Sequence, residues 1–381
     1  MLAVLRHLNY RPWFALGEFV DNAVQSFTKH RAALEKIEGK GLKLRVDIDI
    51  DTASPARLSI RDNAAGIFES EYARAFRPAA LPPDRTGLAE FGMGMKSAAC
   101  WFAPQWTVRT KALGENVSRT IHFDIDNIID DDIEELKIRE KTEKANAHYT
   151  EVILEDIFHV PVGRTVAKLK EHLTDIYRGF IRDGLLETRF NGEPLVYREP
   201  KVFKAPHYKE KSGADRVWRK TIEFDFGEGL SVHGFAALRE TASVAKAGFS
   251  LFRRGRVIQG SGDEGYRPAY VFGNPNSYRY QRLFGELHLE GFEVSHTKDG
   301  NGAPRGLAHL PGSPVRQGTP HFYNSPAAGE RGHSPPGHMA CVVFKVSTGV
   351  TESSAGDLTV RFDLTSPIRY HKCHKVSCRG R

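Results

Sequence analysis

Apolar and polar positions follow two periods along this chain, and the switches between them divide it into elements. Over residues 14–27, Leu16, Phe19, Val20, Ala23, Val24 and Phe27 recur at helical spacing and give one broad apolar face. Pro12 stands near the start, where its missing N–H costs least. Glu18, Asp21, Asn22 and Gln25 fall at i, i+3, i+4 and i+7, a polar stripe with no Lys or Arg in it for pairing. The period then drops to two. Residues 42–50 alternate as a half-buried strand, 51–55 read as a turn, and 57–61 read as a second strand, which predicts a hairpin. A short helix is expected over 95–102. Strands are expected at 106–111, 119–125 and 149–154, with an acidic connector over 124–135. This order predicts a helix layer packed on a mostly antiparallel sheet. Farther on, Val166, Leu169, Leu173, Ile176, Tyr177 and Phe180 share the face of a helix over 165–181. Strands are expected at 186–190, ahead of an Asn191-Gly192 hairpin turn, and at 229–238, 248–253 and 283–290.

Three stretches carry candidate chemistry. In the first helix, a carboxylate one turn from a carboxamide suits a base beside a hard-cation ligand; a solvated helix face would look the same. Asp62-Asn-Ala-Ala-Gly-Ile67 follows a strand directly, so a flat ligand could approach the backbone at its small residues, or an Asx turn could close there. Residues 68–86 hold Pro78, Pro82 and Pro83 with little periodicity, the character of an irregular loop or active-site lid. Gly87, Gly92 and Gly94 then precede the short helix. Glycines before a helix N-terminus expose N–H groups that bind phosphate. Lys96 sits in the first turn, where the helix dipole disfavours a cation unless an anion is bound.

Composition narrows the class. The 381 residues allow two domains, and 40% hydrophobic with 27% charged residues is ordinary for a globular protein. No run reaches the roughly 18 apolar residues of a membrane helix, and the N-terminus lacks a signal-peptide plan. Cys100, Cys341, Cys373 and Cys378 make no disulfide framework, which points to a reducing cytoplasm. The formal charge of +7 permits an anionic partner such as nucleic acid.

Together, Glu18-x-x-Asp21-Asn22-Ala23, Asp62-Asn-Ala-Ala-Gly66, Gly87 with Phe91-Gly-Met-Gly-Met-Lys-Ser97, and Tyr149-Thr-Glu-Val152 resemble the GHKL ATPase superfamily in order and spacing. That superfamily includes gyrase-type topoisomerases, the heat-shock chaperone of the same fold, histidine kinases and MutL. Within it the chain looks most similar to the MORC-like ATPases and their bacterial relatives. The resemblance implies an α+β fold: a Bergerat-type α/β sandwich over 1–160, binding ATP and Mg²⁺. Glu18 would be the general base and Asn22 the Mg²⁺ ligand. Asp62 would accept from the adenine amino group, and Gly66 would let the base lie against the backbone. Gly92, Gly94 and Lys96 would cradle the phosphates, and Thr150 would support the adenine site. Ala64 stands where the family usually has Gly, which is tolerable if its φ is negative.

The resemblance also makes residues 161–300 a transducer domain, a ribosomal-protein-like βαβ unit, and Lys298 the candidate for its contact with the γ-phosphate; a surface Lys in a Lys-Asp-Gly turn fits the sequence too. The basic stretch 252–258 reads as an anion contact or a solvated edge. From residue 301, Pro, Gly, Ser and His dominate and periodicity is lost, as in a disordered or frame-shifted tail. His371, Cys373, His374 and Cys378 fit no closed zinc site well. Three functions are compared: an ATP-gated clamp that homodimerises when ATP is bound and acts on DNA, an ATP-dependent chaperone acting on protein clients, and a histidine kinase. The last is disfavoured, since only nine residues precede Tyr10 and none forms a phosphoacceptor helix.

Overall fold

The computed structural model describes residues 5–8, 10–76, 88, 94–131, 135–207 and 212–292, and the backbone of two short strands at 350–352 and 358–360. Helix α1 spans Pro12–Glu38 and runs well past the predicted stretch. Pro12 lies in its first turn. The extension beyond Phe27 is carried by strong helix formers, Ala32, Ala33, Leu34 and Lys36, with an Arg31–Glu35 ion pair one turn apart.

Strands β1 (Leu44–Asp51) and β2 (Arg57–Asp62) form the predicted hairpin, and their alternate residues Leu44, Val46, Ile48, Leu58 and Ile60 are buried. The expected irregular loop instead opens with a 3-10 turn at Glu69–Glu71 and helix α2 at Tyr72–Phe76. Helix α3 (Gly94–Phe102) and strands β3 (Gln105–Lys111), β4 (Val117–Asp124) and β6 (Tyr149–Glu155) lie where predicted. Two elements that the pattern did not predict lie within and just after the acidic connector. Helix α4 (Ile125–Asp130) is capped by Asp124, which accepts from the Asn127 N–H. All five residues of strand β5 (Ile138–Thr142) are exposed, so it carries no alternation to read.

Helices α5 (Arg164–Ile176) and α6 (Arg178–Arg182) break at Tyr177 within the single helix predicted there. Leu169, Leu173 and Ile176 join the core formed by α1, α3 and the sheet. Strand β7 (Leu186–Phe190) then pairs parallel to β1, and Asn191 and Gly192, both at positive φ, turn into β8 (Glu193–Pro194). The eight-stranded order is β5-β4-β3-β6-β2-β1-β7-β8, antiparallel apart from β1–β7. The first sheet and its core therefore include β7, β8 and the inner face of α5.

A second, five-stranded sheet has its own core around Val232, Phe249, Leu251, Phe272 and Leu287. It comprises β11 (Arg219–Gly227), β12 (Leu230–Leu238), β13 (Gly248–Arg253), β14 (Arg256–Gln259) and β15 (Leu283–Glu290), in the order β11-β12-β15-β13-β14. Only β13–β15 is parallel, with α7 (Ala269–Phe272) and α8 (Tyr278–Arg282) in the connection. Strands β9 (Lys204–Ala205) and β10 (Arg216–Val217) pair beside it, and two three-residue strands, β16 (Val350–Glu352) and β17 (Leu358–Val360), pair antiparallel. No helix among the described residues is long and apolar enough to cross a membrane.

Candidate active site

A cavity of roughly 200 Å³ opens between α1, the end of β2, α2, the start of α3 and β6. Glu18, Asn22, Asp62, Gly66, Gly94, Lys96 and Thr150 all line it. Seven of the nine predicted site residues thus come together from separate segments. The other two, Gly92 and Lys298, lie outside the described residues. Phe19, Ile60, Ile67, Met95 and Val152 supply apolar walls.

One end of the cavity is built around Asp62. Its Oδ1 accepts from the Ala64 N–H at 2.9 Å, and it stands directly across the β2–β6 ladder from Thr150. Burial pushes the Asp62 carboxyl up to about 7, overriding the Ala64 and Thr150 N–H groups and Arg61, which act to lower it. Gly66 has φ +75°, and a Cβ there would overlap the Lys111 carbonyl. A side chain is excluded both by conformation and by space. That strand end is itself pinned: the buried Lys111 Nζ donates to the carbonyls of Ala112, Glu115 and Ala147. Thr110 Oγ1 accepts from the Ile67 N–H and lies 3.5 Å from Thr150 Oγ1. Ala64 is not among the described residues with positive φ, so the replacement of the family's usual Gly costs no strain there.

At the other end stand Glu18, Gly94 and Lys96. Glu18 is buried, and a Cβ built on Gly94 would collide with its carboxylate. Only glycine lets the first turn of α3 approach that side chain. Lys96 is also buried; its Nζ donates to the carbonyls of Arg74 at 3.2 Å and Ala75 at 3.1 Å, in α2. Burial first, and then the charge of Arg74, lowers the Lys96 ammonium to about 8.

The structure divides the polar stripe of α1. Glu18, Asn22 and Gln25 face the cavity, and Ser26, Lys29 and His30 continue that face one turn farther. These later positions were legible as a continuation of the i, i+3, i+4 spacing once the helix runs past Phe27. Lys29 bonds Glu71 at 2.8 Å and closes the rim. Asp21 departs from the stripe. It is fully buried, accepts from the Tyr177 hydroxyl at 2.8 Å, and lies 3.1 Å from Arg256 Nε. The partner missing from the local sequence is thus supplied by the basic stretch 252–258, whose Arg256 is neither a solvated edge nor a contact for an external anion.

Residues 10–155 match the family model described as histidine kinase-, DNA gyrase B-, and HSP90-like ATPase. This segment is a GHKL-type ATPase domain. Its match ends at the close of β6, and the mixed α+β layers of the first sheet agree with the sandwich of that family. Among curated proteins, none matches the chain. The GHKL assignment supports ATP binding and hydrolysis as the domain's activity. The residues present suit the family's Mg²⁺–nucleotide: a carboxamide beside a buried carboxylate, and two lining glycines at which the packing leaves no room for a Cβ.

Proposed function

We propose that this protein hydrolyses Mg²⁺-ATP in the α1–β2–α3 cavity and uses the nucleotide to gate closure of a homodimer around its client. The convergence of seven separated residues on one cavity supports this reading. Asp62 accepts from the adenine amino group, with Gly66 opening the backbone and Thr150 bracing the carboxylate. Gly92, Gly94 and Lys96 hold the phosphates through N–H groups and one ammonium. Asn22 holds Mg²⁺, which supplies charge neutralisation along the phosphates. Glu18 orients the attacking water and takes its proton.

The second sheet acts as the transducer, and Lys298 reaches the γ-phosphate from it. The client is DNA in this reading, as for the gyrase- and MutL-like relatives the chain resembles. Net charge is no guide: residues 1–300 hold 44 Lys and Arg against 43 Asp and Glu, and the basic excess lies almost wholly in the stretch after them. The test is ATP-dependent retention of DNA at two salt concentrations, with sedimentation to read the dimer. Salt-sensitive retention with ATP analogue but not with ADP supports the clamp. Retention of an unfolded protein client in place of DNA would assign a chaperone.

A further inference from the structure

The hairpin β13–β14 delivers one guanidinium into the ATPase unit. Its turn, Arg254-Gly255, has both residues at positive φ. The Gly255 carbonyl presses on Gly179 of α6, where a Cβ would lie 2.8 Å from it, and a Cβ on Gly255 would meet the Phe180 ring. Two glycines thus seat the turn on the α5–α6 break. The next residue, Arg256, is 1% exposed and lies against α1.

The receiving surface is built for it. Gly17 interrupts the interior of α1, where glycine costs roughly 0.5–1 kcal/mol relative to alanine. A Cβ at Gly17 would come within 3.1 Å of both Arg256 Nη2 and the Tyr177 hydroxyl. The Tyr177 hydroxyl lies 2.7 Å from the Gly17 carbonyl and 2.8 Å from Asp21 Oδ1. The guanidinium N–H groups have no well-aligned acceptor among the described residues. Arg256 Nε lies 3.1 Å from Asp21 Oδ1, and the carboxylates around the guanidinium are the buried ones of Asp21 and Glu18.

We infer that Arg256 is a positioning residue for ATP hydrolysis, fixing the turn of α1 that carries Glu18 through Asp21 and Gly17. The inference rests on Glu18 acting as the base. Asp21 lies three residues after Glu18 and Gly17 immediately before it, so the groups that Arg256 and Tyr177 grip bracket the base within one turn. Turnover then depends on the seating of the second sheet, independently of any contact that sheet makes with nucleotide. A misplacement near 1 Å at a reacting group can cost about 100-fold.

The test compares Arg256→Met, Arg256→Lys and Arg256→Met/Asp21→Asn with the parent and with Glu18→Gln. ATP turnover, ADP affinity by calorimetry and thermal midpoint are read for each. Arg256→Met leaves Asp21 buried without its cation, so its midpoint falls; Asp21→Asn removes that charge and restores it. If Arg256 positions the base, the double variant regains stability and ADP affinity yet turns over about 10- to 100-fold slower than the parent, and Arg256→Lys recovers part of the rate. If the double variant regains the parent rate together with its stability, Arg256 only neutralises a buried charge and the inference falls. Parental turnover in Glu18→Gln overturns the assignment of the base itself, a separate failure.

Discussion

The ionisation of Asp62 should govern adenine nucleotide affinity across neutral pH. An amino group needs an acceptor, so the nucleotide selects the carboxylate. With the unliganded carboxyl near 7, about nine-tenths of sites are ionised at pH 8 and about one-tenth at pH 6. ADP affinity should therefore fall close to tenfold between those values, about 1.4 kcal/mol, and tenfold more with each further unit of acidity. The direction for stability is opposite. A carboxyl raised above its unfolded value binds its proton more tightly in the fold, so the unliganded domain loses stability as pH rises from about 4 to about 7, and nucleotide restores it. Calorimetric ADP titrations from pH 6 to pH 8 measure the effect, with Asp62→Asn as the control for the ligand's own titration. The variant should bind about 10- to 100-fold more weakly at pH 8, as expected for losing a hydrogen bond to a charged group, with a flatter pH dependence. Equal slopes in parent and variant would show that the adenine amino group does not meet this carboxylate. A parental affinity that rises on acidification would make Asp62 a donor instead.

Glu18→Ala should retain ADP binding while hydrolysis falls roughly 10²- to 10⁴-fold, the usual contribution of a positioned base, as measured by steady-state phosphate release. Gly94→Ala drives a methyl group into the Glu18 carboxylate, so turnover should drop at least about tenfold while circular dichroism stays that of the parent. Lys298→Ala should cost roughly 10- to 100-fold in ATP affinity or turnover and abolish the ATP-dependent dimer, with ADP affinity nearly unchanged, because only the triphosphate carries the group it pairs with; paired titrations and sedimentation decide it.

The first sheet was largely legible because its buried strands alternate and because α1 and α3 carry motifs whose residue types the chemistry constrains. Gly66 and Gly94 illustrate this, since each sits where the fold leaves no room for a Cβ. What the sequence hid was non-local or exposed. Strand β5 faces solvent along its whole length, so no period marks it. The parallel docking of β7 on β1 depends on a register between segments far apart in the chain. The pairing of Asp21 with Arg256 was invisible for the same reason: locally, Asp21 belongs to a polar stripe and Arg256 to a basic turn. Only the packing of β14 against α1 shows that each neutralises the other.

The opposed titrations at the two ends of the cavity make nucleotide binding a proton-exchange reaction. Engaging adenine expels the proton that Asp62 holds, whereas phosphate beside Lys96 draws one onto the amine. With starting values near 7 and 8, the first process dominates at pH 7, with a net release of about 0.4 proton, and the second at pH 8, with a similar uptake. Near pH 7.5 the two cancel, apart from the nucleotide's own titration. The apparent binding enthalpy should then be independent of buffer only in that narrow interval, and its dependence on buffer ionisation enthalpy should reverse sign on either side.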